Sequence, residues 1–253
     1  DVILEPDFIE KIILTTQNLD DRVACLSGKI LKIETVVEEG GLSEMIKSDK
    51  IDSCGLEIKK SRQLKNIGEN EQDTGQYDNL QQVFGFAGTC TLFRRQALED
   101  VAFREEYFDE KFFAYQEDYD LAYRLQLLGW QAHFVSQARA YHFRSAKINT
   151  LKPWKFRKII SARRSKSQMT NYHSYKNHLL VLCKNEIPEN FWRHFPYIFW
   201  FEFKKFVYLL FFEIRTLGSL KIFFKDLSNN RLKRRMIMQR RKVAAEHVRN
   251  WFK

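Results

Sequence analysis

Three carboxylates fall within four residues at Glu117-Asp118-Tyr119-Asp120, at the centre of the stretch from Val83 to Ser145. A glycine-bearing loop, Gly85 to Thr89 with Ala87 and Gly88 inside it, stands upstream, and His142 stands downstream. Glycines let backbone approach a ligand closely. Acids that open a helix, such a loop and a histidine at a strand end are the parts of a metal-assisted transfer site.

Each part has a plainer reading. Asp118 and Asp120 sit where a helix begins, and a carboxylate there is favoured by free N–H groups and the dipole. On this plainer reading one of them is only a cap; three adjacent acids exceed what a cap needs, and EDYD alone leaves cap and site equally open. A carboxylate at this junction can act as general base on a hydroxyl. Arg124 follows Asp120 by four residues. That spacing gives an ion pair worth about 0.3–0.5 kcal/mol, or a cation beside a diphosphate, and it does not choose between them. His142 as a neutral imidazole suits a divalent metal with carboxylate partners, although a lone histidine is more often structural. The Gly85–Thr89 loop is not a GxGxxG motif and is a weak signal by itself.

The elements around these residues alternate. Asp1 to Leu4 reads as a strand, and Glu5-Pro6-Asp7 starts a helix with Phe8, Ile9, Ile12 and Ile13 on its apolar face. Val23 to Ile33 reads as a strand with Gly28 at a bulge. Residues 34–50 read as a loop, Ile51 to Ile58 as β, and residues 59–80 as a long loop of the functional or mobile kind. Val83 to Phe93 is loop and strand, Arg94 to Val101 a short helix, and Phe108 to Phe113 a tight aromatic turn. Asp118 to Leu128 is the clearest helix, with Leu121, Leu125 and Leu128 on one face and Gly129 at its C-terminal cap. Gln131 to Tyr141 is a strand leading to His142. The pattern predicts an α/β domain with a mixed sheet.

After Ser145 the character changes. Residues 151–253 hold 24 Lys and Arg against 6 Asp and Glu, while residues 1–150 hold 18 against 26, within a net charge of +10. An acidic half joined to a basic half suggests two jobs, the basic one facing an anionic partner. Residues 151–184 read as basic and helical, with Tyr172, Tyr175, Leu179 and Leu180 as a seam. Phe195 to Phe212 is aromatic but broken by Glu202, Lys204 and Lys205, too costly at the centre of a spanning helix. It reads as an interfacial helix, or else as a buried packing helix. Arg231 to Lys242 is a basic cluster of the kind that anionic lipids attract, or else a solvated helix face. The aromatics gather in one helix rather than interleaving with the basic residues, so no nucleic acid is expected. Four scattered cysteines without CxxC exclude a zinc ribbon or a disulfide framework and fit a reducing compartment.

The run from Ile51 to Ser145 resembles the family 2 inverting glycosyltransferases, in particular the rhamnosyltransferase-like branch. The matching pieces are Ile51-Asp52-Ser53-Cys54-Gly55, Gly75-Gln76-Tyr77-Asp78, Val83-Phe84-Gly85 with Ala87-Gly88, Phe93-Arg94-Arg95, Phe108-Asp109-Glu110 with Phe112-Phe113-Ala114-Tyr115, Glu117-Asp118 with Asp120-Leu121 and Arg124, Gly129-Trp130, and Ala140-Tyr141-His142. Asp1 with Pro6-Asp7 looks like the last acid of the family's metal-binding Asp-x-Asp element and the segment right after it. The resemblance implies the C-terminal part of a GT-A (Rossmann-like) domain that binds a nucleotide-sugar with Mg²⁺ or Mn²⁺. Asp118 would be the general base with Glu117 beside it, and Asp1 and His142 would be metal ligands. Gly85, Ala87, Gly88, Thr89, Asp120 and Arg124 would line the substrate.

The expected acceptor is a glycan or a polyprenyl-linked sugar in cell-surface polysaccharide synthesis, with rhamnose suggested as donor sugar by the likeness alone. The expected division is an acceptor-side part at 1–150, a basic helical extension at 151–190, and an aromatic interfacial helix with basic tail at 191–253. The expected location is cytoplasmic, peripheral on the inner face of the plasma membrane. The family's first β-α-β portion is absent from these residues. The expectation is therefore a fragment that binds a nucleotide-sugar weakly and is inactive alone. The alternative is a non-catalytic fragment that binds membrane or nucleic acid.

Overall fold

The computed structural model describes residues 1–37, 43–143, 163 and 167–253. Its centre is a six-stranded mixed sheet. Two long strands carry it, β2 (Val23–Val37) and β8 (Gln131–His142), which pair in parallel. β1 (Val2–Leu4) and β6 (Gln82–Val83) pair antiparallel with β8; β3 (Ser43–Ser53) and β7 (Leu92–Phe93) pair antiparallel with β2. A separate two-stranded ribbon joins β4 (Leu56–Ile58) to β5 (Leu64–Asn66).

Alternation along the strands sends side chains to two cores. On one face Leu26, Ile30, Val135, Ala138 and Ala140 pack under Phe8 and Ile12 of α1 (Phe8–Thr16). On the other, Cys25, Leu31, Ala132 and Phe134 join α2 (Arg95–Val101) and α3 (Glu117–Leu127). The β2–β8 register jumps between Gly28 and Lys29, but the extra residues, Ser136 to Ala138, stand on β8 and not at Gly28, where the bulge was expected. A Cβ there would stand 2.1 Å from Ala138 O, so only glycine fits.

Two stretches expected as loops contain strand among their described residues. Residues 34–50 lie largely in the arms of β2 and β3, where Thr35 and Val36 face Met45 and Glu44 and the Lys50–Glu34 ion pair spans the strands. Their charged residues mark an edge, not a loop. Residues 59–80 contain β5, and the rest is pinned to the sheet. Lys29 is fully buried with Nζ 2.7 Å from both Asp73 and Asp78, and Ile51 N–H donates to Glu71 O.

The C-terminal part is helical: α4 (Gln168–Asn185), α5 (Pro188–Phe212), α6 (Ile214–Leu217), α7 (Ser219–Arg240) and α8 (Ala245–Arg249). Leu180, Val181, Ile187, Phe223, Ile237, Val248 and Phe252 all belong to the main core. The charge step at residue 150 therefore marks no boundary between cores. Of the predicted basic stretch 151–184, residues 151–162 and 164–166 lie outside the described residues, as do Arg144 and Ser145.

The basic tail also differs from expectation. Lys233 is buried on Glu106 (2.7 Å) and Asp109 (2.9 Å). Arg234 donates to the carbonyls of Cys183, Lys184 and Glu186, which closes the C-terminal end of α4. Arg240 and Lys242 meet Asp100. Much of the positive charge thus faces the acidic half of the same chain, while Arg231 and Arg235 stay exposed. Composition counts charges but does not say that the two halves will meet.

Candidate active site

α3 begins at an unusual corner. Phe113, Tyr115 and Gln116 all have positive φ (63°, 69° and 71°). Non-glycine residues in that region cost on the order of 1–3 kcal/mol each and persist only where surroundings hold them. A 3₁₀ turn, Glu110–Phe112, precedes them, capped by Asp109. The chain leaves this corner directly into Glu117 and Asp118.

The Asp118 carboxyl accepts the Tyr119 backbone N–H at 2.8 Å and is also met by the Gly88 N–H. Burial pushes its pKa up to about 6, the neighbouring Glu117 charge adds to the rise, and the backbone N–H groups oppose it. Glu117 Oε2 is itself buried with no hydrogen-bond partner among the described residues. The Asp118 carboxyl is therefore ionised at neutral pH, yet a better proton acceptor than an ordinary aspartate.

Gly88 lies exposed at the surface, and a Cβ there would meet nothing within 4 Å. Its neighbours Ala87 and Thr89 line a small cleft together with Ser27, Asp52, Ser53 and Cys90. Gly85 is different. It is buried, and a Cβ there would come 2.4 Å from Ala122 Cβ. Its place in the substrate set is corrected to a packing role: the glycine lets the loop press against α3.

Asp120 and Arg124 are corrected in the same way. Both are 0 % exposed. Arg124 Nε donates to Asp120 Oδ2 at 3.0 Å, its other nitrogens donate to Val101 O and Tyr107 O, and its guanidinium lies over the Phe103 ring. Asp120 Oδ1 is held by Lys184 Nζ (2.9 Å) and Asn185 Nδ2 (2.7 Å). The i,i+4 spacing means an ion pair here, and a buried one. Substrate has no access to either residue.

His142 ends β8 and pairs across the sheet edge with Val2. Its Nδ1 donates to Asp52 Oδ2 at 2.9 Å, and its Nε2 lies 3.7 Å from Asp1 Oδ2. A carboxylate on one ring nitrogen fixes the tautomer that leaves the other available to a metal. Among the described residues no group of three or more His, Cys, Asp or Glu side chains forms a closed metal site. Mg²⁺ commonly takes only one or two carboxylates and completes its shell with waters and phosphate oxygens. Asp1 could supply one such carboxylate and His142 an imidazole nitrogen beside it, with Asp52 on the other ring nitrogen. Asp52 stood in the sequence inside the Ile51–Gly55 motif, but nothing there tied it to His142, 90 residues away.

A family model, glycosyl transferase family group 2, matches residues 70–223. The chain belongs to this family. The matched region takes in the Gly85–Thr89 loop, α3, β8 and the helices through α5 and α6. No curated protein matches the chain. A crystal structure of GalNAc-T7 with UDP, GalNAc and Mn²⁺ is similar in shape at TM-score 0.43 and 15 % identity, over 72 % of this chain and 29 % of that one. This glycosyl transferase family group 2 chain thus spans under a third of that protein's length.

Proposed function

We propose that the protein transfers a sugar from a nucleotide-sugar to a hydroxyl acceptor with inversion, Asp118 acting as general base. The observation that carries this reading is the Asp118 carboxyl, raised to about 6 where α3 meets the Gly88 loop. The acceptor O–H gives its proton to the carboxylate as its oxygen bonds to the anomeric carbon. The bond from that carbon to the diphosphate oxygen breaks, and its electron pair leaves with the nucleoside diphosphate. Attack opposite the leaving group inverts the centre. Asp1 and His142 would hold Mg²⁺ or Mn²⁺, which when bound neutralises the departing diphosphate. Glu117 keeps the local charge high. Ala87, Gly88 and Thr89 shape the wall against which the sugar lies.

The acceptor is a glycan or polyprenyl-linked sugar held near an anionic membrane, and the sugar transferred is rhamnose-like. Among the described residues no helix is long and apolar enough to cross a membrane. α5 instead has a bare aromatic side. Trp192, Phe195, Phe199, Phe203, Phe206 and Leu210 are exposed at helical spacing, over about 27 Å at 1.5 Å per residue. Phe195, Phe199 and Phe203 stack in sequence. Two of the charges that break the run point inward: Glu202 Oε1 is 2.7 Å from His178 Nε2, and Lys205 lies over Tyr175 and Phe201, its pKa pushed down to about 8 by burial. Lys204, over the Trp200 ring, and Arg193 share the outer side. A helix with charges inside and aromatics outside suits a bilayer interface.

The test of the chemistry is Asp118→Asn in the full-length protein, assayed for sugar transfer with folding checked by circular dichroism. Loss of turnover in a folded variant supports the base; retained turnover removes Asp118 from that role.

A further inference from the structure

Asn177 sits in the middle of α4 and is fully buried. Its Nδ2 lies 2.9, 2.8 and 2.7 Å from the carbonyl oxygens of Phe112, Ala114 and Tyr115. Two amide hydrogens serve three acceptors, so at least one bond is shared. The amide orientation is forced, because the flipped side chain would set oxygen against three oxygens. Its Oδ1 has no hydrogen-bond partner among the described residues, so the side chain serves the corner alone.

The same side of α4 makes further contacts to this corner. Lys176 Nζ donates to Lys111 O at 2.7 Å, the His173 ring lies 5.2 Å from Phe113, and Thr170 Oγ1 lies 2.9 Å from the Tyr115 hydroxyl. These groups grip the segment that holds the positive-φ residues Phe113, Tyr115 and Gln116. Phe113 is 71 % exposed, so its own side chain does little to hold it there. Without an external hold the backbone would relax from that conformation. The next residues in the chain are Glu117 and Asp118.

We propose that Asn177 is a positioning residue: its amide holds the Phe112–Tyr115 carbonyls so that α3 starts where Asp118 meets the Gly88 loop. Asn177 touches neither substrate nor Asp118 and acts only through the backbone corner. The proposal rests on the reading of Asp118 as the base. It gives α4, a helix outside the sheet, a direct part in setting the reacting carboxylate.

The experiment titrates the Asp118 side-chain carbon by ¹³C NMR in the 253-residue chain, assigned by loss of the signal in Asp118→Asn. The wild-type chain and Asn177→Leu, close in volume but without donors, are compared. Wild-type Asp118 is expected to titrate near 6. In folded Asn177→Leu its acid dissociation constant is expected to rise by about tenfold or more, as the corner opens and the carboxyl gains water. Asn177→Ser, which keeps one donor, should fall between. An unchanged Asp118 titration in either folded variant overturns the positioning role while leaving the base intact. A wild-type titration in the ordinary aspartate range sinks the base reading instead. If neither variant folds, Asn177 is a folding residue and the proposal is overturned.

Discussion

Lys184 Nζ lies 2.9 Å from Asp120 Oδ1, so the basic half of the chain reaches into the carboxylate run of the acidic half. The same ammonium contacts Asp109 Oδ2 at 2.5 Å, and Lys233 contacts Asp109 Oδ1 at 2.9 Å. These charges are buried together with Arg124. Removing one partner from such a cluster leaves an uncompensated buried charge.

Lys184→Met should therefore destabilise the fold by about 3–5 kcal/mol, the range for breaking a buried pair. Urea denaturation followed by circular dichroism reads this directly. Asp109 gives the pH signature. Its pKa is held down to about 2 against its burial by Lys184 and Lys233. A depressed carboxylate contributes stability that is present above its unfolded value and lost as pH falls through the folded one. Wild-type stability should decline between about pH 4 and 2, and Lys184→Met should lose much of that slope.

Asp118 has the opposite sign. Its folded pKa near 6 stands above the ordinary value of 3.8, so the folded state holds the proton more tightly. Stability falls as pH rises through that window and stays lower above it. Asp118→Asn should raise stability at about pH 7.5 by about 1–3 kcal/mol and leave it little changed at about pH 3.5. Sugar transfer by the wild type should rise with pH through about 6 as the base ionises. Equal stability of variant and wild type at the higher pH would contradict the buried carboxyl.

Three glycines that look alike in sequence separate sharply. Gly28→Ala places a Cβ against Ala138 O and the Phe8 ring, and Gly85→Ala against Ala122. Each should cost about 1–3 kcal/mol by overpacking. Gly88→Ala meets open space and should fold like the wild type. Thermal melts of the three variants decide this.

His142 and Asp52 should act together on a cation. Mn²⁺ binding to the chain, followed by electron paramagnetic resonance, should weaken in His142→Ala. It should weaken about 10–100-fold in Asp52→Asn, as expected for losing the group that orients a ligand. Binding unchanged in both would remove this pair from the metal.

The aromatic side of α5 should hold the protein to vesicles. Sedimentation with phosphatidylglycerol vesicles should be strong, and Phe199→Ser with Phe203→Ser should abolish it with the fold intact. Binding that persists in the double variant would place the contact elsewhere, with exposed Arg231 and Arg235 as the first alternatives.

Periodicity and turn chemistry are local, and so they were readable. The α3 helix and β8 came from spacing alone, whereas the lone glycine at Gly28 marked the place of an irregularity but not the strand, β8, that carries the extra residues. Asp118 could be singled out because three acids exceed a cap. What spacing could not supply was partnership at long range. Asp120 and Arg124 differ from Asp118 only in what packs over them, and that cover comes from Lys184 and Asn185, some 65 residues on. Asn177 carried a faint signal, an amide among the apolar positions of a helix. Its task was hidden because its three acceptors are backbone carbonyls, which every sequence has. The character of α5 stayed divided between interface and core because hydropathy averages Glu202 and Lys205 over a helix that in fact sorts them to one side.

At Gly28 the pairing advances one residue along β2, from Gly28 to Lys29, while it advances from Val135 to Arg139 along β8. Ser136, Gln137 and Ala138 are supernumerary there. The phase of everything after them is set afresh, so His142 comes opposite Lys32 whatever the length of the excursion. Strand length and the placement of His142 are thereby uncoupled, and the chain can lengthen or shorten at this point while the imidazole keeps its address beside Asp52.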